Sequence, residues 1–164
     1  MSIPHVSCTC LVAIAINLAL CCSCSRRSDT EGKPKVEIEL RFLWSALKKY
    51  KNEYGELPVV APETQEQDNG RVVGVLMAST PEDLVARLNP KRIPFLHVPD
   101  SRLRGGAFVD PWNHPYNISF DVKASGKVTV GSQILSTNLA IWSSGPNGVN
   151  EYGTGDDLSS WKHL

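Results

Sequence analysis

The sequence predicts an α+β domain: one long N-terminal amphipathic helix packed on a small three-stranded antiparallel sheet. Three observations carry that prediction. A continuous apolar stripe runs through 36–54, strand-like runs cluster only after residue 115, and the chain ends in a Gly-, Asn- and Asp-rich tail. Helix first and strands later, without βαβ alternation, is an α+β order.

Residues 1–24 stand apart from this domain. All five cysteines (Cys8, Cys10, Cys21, Cys22, Cys24) lie here, and the first formal charge is Arg26. The uncharged run from Cys8 to Ser25 is short for a bilayer span, which needs about 20 apolar residues. Its small residues and terminal cysteines read as a lipoprotein-type signal. Cys24, preceded by Ser23, is the first choice for lipid attachment and Cys22 the second. An uncleaved anchor is the alternative, since no Lys or Arg precedes the run and Arg26 and Arg27 follow it. A polar linker is expected over 25–33, and the globular domain over 34–164. The cysteine-free body excludes a disulfide framework, a thiolate metal site or a Cys nucleophile there.

Within the body, Pro34 is placed at the first position of the helix. Val36, Leu40, Leu43, Leu47, Tyr50 and Tyr54 then recur at alternating spacings of four and three, one buried stripe. Gly55 and Pro58 end it. Residues 62–70 read as a polar loop and 71–78 as a short apolar helix. Thr80-Pro81-Glu82-Asp83 opens another helix with a hydroxyl cap and acidic first turn, and Asn89-Pro90 stops it. An irregular connection covers 94–106. Strands are expected over 116–122, 127–130 and 139–143, with Ser125-Gly126 turning between the first two.

Seventeen Lys and Arg balance seventeen Asp and Glu, which removes the electrostatic case for nucleic-acid binding. Nor does any enzyme motif emerge. There is no Walker loop, nucleotide-binding Gly triad, His-Glu-x-x-His or G-x-S-x-G elbow, and His97, His114 and His163 lack paired ligand spacing. The expectation is a non-enzymatic protein with no catalytic residues.

Two segments remain. Asp110-Pro111-Trp112-Asn113-His114-Pro115-Tyr116 is a rigid turn, with two prolines to fix the backbone and two aromatics to lock it on the core. Asp110, Pro111, Trp112, Pro115 and Tyr116 are its structural residues. The second segment, Trp142 to Trp161, sets Asn147, Thr154, Asp156 and Asp157 on a Gly-rich backbone. Such hard oxygen ligands on a loop that can wrap suit Ca²⁺, although the spacing is not that of an EF-hand.

These motifs carry a resemblance. Tyr54-Gly55-Glu56-Leu57-Pro58 after the helix, the Asp-Pro-Trp turn, Ser143 to Gly148 and the ending Gly153 to Trp161 occur in the order seen in the major pseudopilin of type II secretion systems. Asn113, Asn147 and Leu158 stand where that family has Gly, Asp and Ile. The resemblance covers most of 34–161. It implies a pseudopilin-like fold whose last loop binds Ca²⁺, with Asn147, Asp156 and Asp157 as side-chain ligands and backbone carbonyls, including those of Ser144 and near Thr154, completing the shell. It also implies secretion-apparatus subunits as partners and an envelope location, membrane-anchored with the domain exported on the periplasmic side. The chain departs from the family at its N-terminus, which lacks the Gly junction and the early Glu of a prepilin. A stand-alone envelope lipoprotein, using the scaffold as a binding module outside any filament, is the alternative function.

Overall fold

The computed structural model describes the backbone of residues 12–79 and 81–163, and side chains over 31–79 and 81–162. The chain divides into two compact units, Met1–Glu31 and Gly32–Leu164. Cys22 and Cys24 lie outside the residues whose side chains are described, and Thr80 outside the described residues altogether. Among the described residues, no helix is long and apolar enough to cross a membrane.

Helix α1 runs Val12–Tyr54, so the segment expected as a linker is helical and Pro34 lies inside the helix. Proline fixes a φ close to the helical value and removes one N–H bond, which a long helix can absorb at about 3 kcal/mol. Gly32 has a packing reason to be there, because a β-carbon at this position would collide with the Trp112 ring. The expected stripe is the buried face: Val36, Leu40, Leu43, Leu47 and Tyr50 are buried and Tyr54 half-buried. The helix gives way to Gly55 at φ 84°, whose N–H donates to the Lys51 carbonyl.

After it come β1 (Glu66–Gln67), α2 (Asn69–Leu76), α3 (Glu82–Leu88), a 3-10 turn (Asp100–Arg102), β2 (Leu103–Arg104), β3 (Ala107–Phe108), β4 (Asn117–Phe120), β5 (Val128–Val130), β6 (Gln133–Leu135), β7 (Leu139–Ser143), β8 (Leu158–Ser159) and α4 (Ser160–His163). Asp68 caps α2 by accepting from the Arg71 N–H at 2.7 Å. Asn89, fully buried, ends α3. Its amide donates to the Val75 and Ile93 carbonyls and accepts from the Ile93 N–H and the Tyr54 hydroxyl.

The fold is α+β, but its main sheet has four strands where three were expected, in the order β1-β4-β7-β8, with every pairing antiparallel. The expected strand over 127–130 does not join this sheet and pairs with β6 in a separate hairpin. The cause lies in two turns. The Asp121 carboxylate accepts from Ser125 Oγ and the Gly126 N–H, with Ala124 and Gly126 both at positive φ, and this swings the chain off the sheet. Gly131, at φ 57°, then folds β5 back on β6.

Alternation along β7 sorts two cores. Leu139 and Ile141 join Ile118, Phe120 and the α1 stripe in the larger one. Ala140 and Trp142 pack with Val128, Val130 and, from beyond the last loop, Trp161. The sheet is therefore covered by α1 on one face and by the β5–β6 hairpin with Trp161 on the other.

Candidate metal centre

The loop between β7 and β8 spans Ser144–Asp157, and its two ends are held at hydrogen-bonding distance by the pairs Trp142↔Ser159 and Ser143↔Leu158. A polar loop of this length needs internal partners for its backbone. Asn150 Oδ1 accepts from Trp142 Nε1–H at 2.8 Å and from the Tyr152 N–H at 3.0 Å. Asp157 Oδ2 accepts from the Glu151 and Gly153 N–H groups at 3.0 and 2.8 Å. Lys162 Nζ donates to the Gly153 carbonyl at 2.5 Å. Gly155 sits at φ 55°, where a β-carbon would collide with the Glu151 carboxylate; only glycine lets that carboxylate fold inward.

The result is a convergence of three carboxylates. Oxygens of Glu151, Asp156 and Asp157 lie within 4.8 Å of one another, a group that could hold a metal ion. Asp157 is buried, and its second oxygen, Oδ1, has no hydrogen-bond partner. A buried carboxylate oxygen without a donor is costly. Burial pushes the Asp157 carboxyl above the usual aspartate range, and its neighbours Glu151 and Asp156 push in the same direction. The Gly153 and Glu151 N–H donors pull the other way. A bound cation would relieve both the missing donor and the repulsion. The donors are all hard carboxylate oxygens, with no His or Cys among them, which suits Ca²⁺ or Mg²⁺ better than a soft metal.

The sequence-predicted ligands are distributed unevenly about this cluster. Asp156 and Asp157 are in it. Asn147 stands behind Asp156, donating from Nδ2 to Oδ1 at 2.5 Å and from its N–H to Oδ2 at 3.2 Å, while its own Oδ1 accepts from the Val149 N–H. Thr154 organises the turn: its hydroxyl donates to the Glu151 carbonyl and its carbonyl accepts from the Asp157 N–H. Ser144 Oγ accepts from Asn117 Nδ2 at 3.2 Å. Glu151 is the member that sequence reasoning missed. The signal was a third carboxylate ahead of the Asp pair, separated from it by Gly153 and Gly155, residues that let a chain double back.

The Asp110 turn buttresses the loop. Asp110 is buried, with Oδ1 accepting from the Trp112 and His114 N–H groups and Oδ2 from Ser143 Oγ at 2.6 Å. Ser143 Oγ in turn accepts from the Gly145 N–H, and His114 Nδ1 lies 3.0 Å from the Gly145 carbonyl. Asn113 occupies φ 71°, a left-handed position that asparagine tolerates. Pro115 bridges to Val109 and is followed by buried Tyr116, whose hydroxyl donates to Glu39 on α1 at 2.5 Å; burial pushes that phenol far above the ordinary tyrosine range. Glu39 is also gripped by Arg102 through two N–O contacts of 2.7 and 2.8 Å. Trp112 is only half-buried, pressed on Gly32, with its Nε1 lacking a partner. The turn thus ties α1 to the base of the Ser144–Asp157 loop. Comparison with protein-family models, curated proteins and solved structures finds no match to this chain.

Proposed function

We propose that this chain is a non-enzymatic, pseudopilin-like subunit or accessory protein of a type II secretion-type envelope apparatus, with Ca²⁺ stabilising its last loop. The observation that carries the reading is the carboxylate triad with the orphaned Asp157 Oδ1, which lies in the loop where the motif resemblance puts a Ca²⁺ site. Glu151, Asp156 and Asp157 would hold the ion, and Ca²⁺ would supply charge neutralisation and a fixed loop geometry. The carboxylate of Glu151 compensates for Asn147, which stands where the family carries an acid. The Asp110 turn sets the register of the loop base, and Lys162 holds the Gly153 peptide. Lipid attachment at Cys24 or Cys22 would tether the protein on the periplasmic side of the membrane.

The test is a strain lacking this chain, with the proteins of its culture supernatant compared with those of the parent. The reading expects a set of exported proteins to be retained in the envelope and released again on complementation. An unchanged supernatant would overturn it. Mass spectrometry of the mature N-terminus tests the tether, and an unlipidated chain with its leader intact would remove that part.

A further inference from the structure

Helix α1 carries a second stripe, on the side opposite its buried one. Ile38, Phe42, Ser45 and Lys49 recur at spacings of four, three and four and all face solvent. Ile38 is 53% exposed and Phe42 61% exposed, the two large apolar side chains left in water among the described residues of α1. Beside them the segment after α3 is pinned along the molecule, as the Phe95 and Leu96 N–H groups both donate to the Leu76 carbonyl. Between that segment and α1 lies a groove of about 250 Å³, lined by the apolar Phe42, Ala46, Phe95 and Leu96 together with Ser45, Lys49 and His97. Phe95 is rigidly set, its ring packed edge-on against Tyr50 and Tyr54 at 5.4 and 6.0 Å.

The charge around this groove is mostly positive. Lys35, Arg41, Lys48 and Lys49 surround the exposed stripe against one carboxylate beside it, Glu37, and no carboxylate lines the groove. Among the described residues Lys35, Arg41 and Lys49 enter no ion pair, and Lys48 lies over the Trp44 ring at 5.4 Å. Glu53, one turn beyond Lys49 on the helix, is taken by Lys91. Four cations against one carboxylate, beside two exposed apolar side chains, are a local excess of positive charge in a chain of zero net charge.

We infer that this groove docks an acidic amphipathic segment of another protein, with one large apolar side chain seated between Phe42 and Phe95 and carboxylates against Lys35, Arg41 and Lys49. Charge complementarity selects the occupant. A two-fold contact with a second copy would bring the same four cations against themselves, which like-charge repulsion opposes. A lipid surface would take a broad face of protruding apolar residues, whereas here only Ile38 and Phe42 stand out and Phe42, Ala46, Phe95 and Leu96 line a recess that fits a single anchor.

The probe is a fluorescein-labelled helical peptide of Glu and Leu with leucines at three- and four-residue spacing, titrated against the full chain and read by anisotropy. Control peptides replace Glu by Lys, or Leu by Ala. The Glu/Leu peptide is expected to bind saturably and more weakly as salt rises, and both controls to fail. Phe42→Ala and Lys49→Glu should each weaken binding at least about tenfold. Both residues are exposed, so unchanged thermal melts are expected of each variant. No saturable binding of the Glu/Leu peptide, or binding that both variants leave intact, overturns the inference. So does self-association in sedimentation that Phe42→Ala abolishes, which would make a second copy the occupant. Displacement of the peptide by anionic vesicles from wild type would assign the face to a membrane instead.

Discussion

The α1–sheet core and the Ser144–Asp157 loop are stabilised by opposite means. In the core, Leu40, Leu43 and Leu47 meet Ile118, Phe120 and Ile141 with no charge to neutralise, and apolar burial is sufficient. In the loop, a buried carboxylate with an unpartnered oxygen is pressed against two others, and only the Gly153 and Glu151 N–H groups offset the burial. One region is indifferent to ions. The other has three converging carboxylates that could hold a cation. Glu39 and Asp110 are the points of attachment between the two, through Tyr116 and Ser143.

The largest break in this contrast comes from the core. Leu43→Ala, at a fully buried site, should cost about 2–5 kcal/mol. Chemical denaturation should return the same loss in Ca²⁺ and in EGTA. A loss that depends on Ca²⁺ would mean that the two regions are not separable.

Next in size is the link. Asp110→Ala strands the Ser143 hydroxyl and the Trp112 and His114 N–H groups, and should cost about 3 kcal/mol. It should also weaken metal binding, because Ser143 and Gly145 lose their register. Calorimetric titration of the folded variant with Ca²⁺ checks this, and unchanged affinity would confine Asp110 to the turn.

The Asp157→Asn variant sharpens the comparison by crossing over. In EGTA it should be more stable than wild type, since it removes a buried charge whose pKa is raised and gives the orphaned position a donor. In Ca²⁺ it should be the less stable of the two. Melts in both buffers report the crossing, and parallel shifts would contradict it.

The smallest effect is alkaline. Tyr50 donates to the Leu88 carbonyl at 2.6 Å, and burial, the largest cause, pushes its phenol up to about 12. An unfolded tyrosine titrates near 10. Between those values the folded state keeps a proton that the unfolded state has released, so stability falls as pH rises through the window. Tyr50→Phe should reduce that slope, leaving the part due to Tyr116, without affecting Ca²⁺ binding, as absorbance titration and melts between pH 9 and 12 would show, roughly spanning the two pKa values.

The same contrast explains what could be read in the sequence. The α1 stripe and β7 announce themselves because periodicity records burial: Val36 to Tyr50 at helical spacing, Leu139 to Ser143 as a run buried on both faces. Strand β1 was illegible, being two residues whose position is set by the Gln67 side chain, which accepts from the Val60 and Ala61 N–H groups and donates to the Ala61 and Thr64 carbonyls. Gly32 looked like a linker residue because its reason, the Trp112 ring, is far off in sequence. The site was half legible. Asp156 and Asp157 stood out as a pair on Gly-rich chain, but Glu151 is brought to them by the turn through Gly153 and Gly155, which no fixed spacing encodes.

The most direct measurement is the thermal melt of the protein in EGTA, in millimolar Mg²⁺ and in millimolar Ca²⁺, repeated for Glu151→Gln and for Asp156→Ala with Asp157→Ala. At a free Ca²⁺ concentration about 100 times the dissociation constant, binding to the folded state alone adds about 2.7 kcal/mol, or about 5–10 °C. Wild type should show that shift in Ca²⁺ and a smaller one in Mg²⁺, Glu151→Gln a reduced one and the double variant none. Identical melts of wild type in all three buffers, or a Ca²⁺ shift that survives the double substitution, would contradict it.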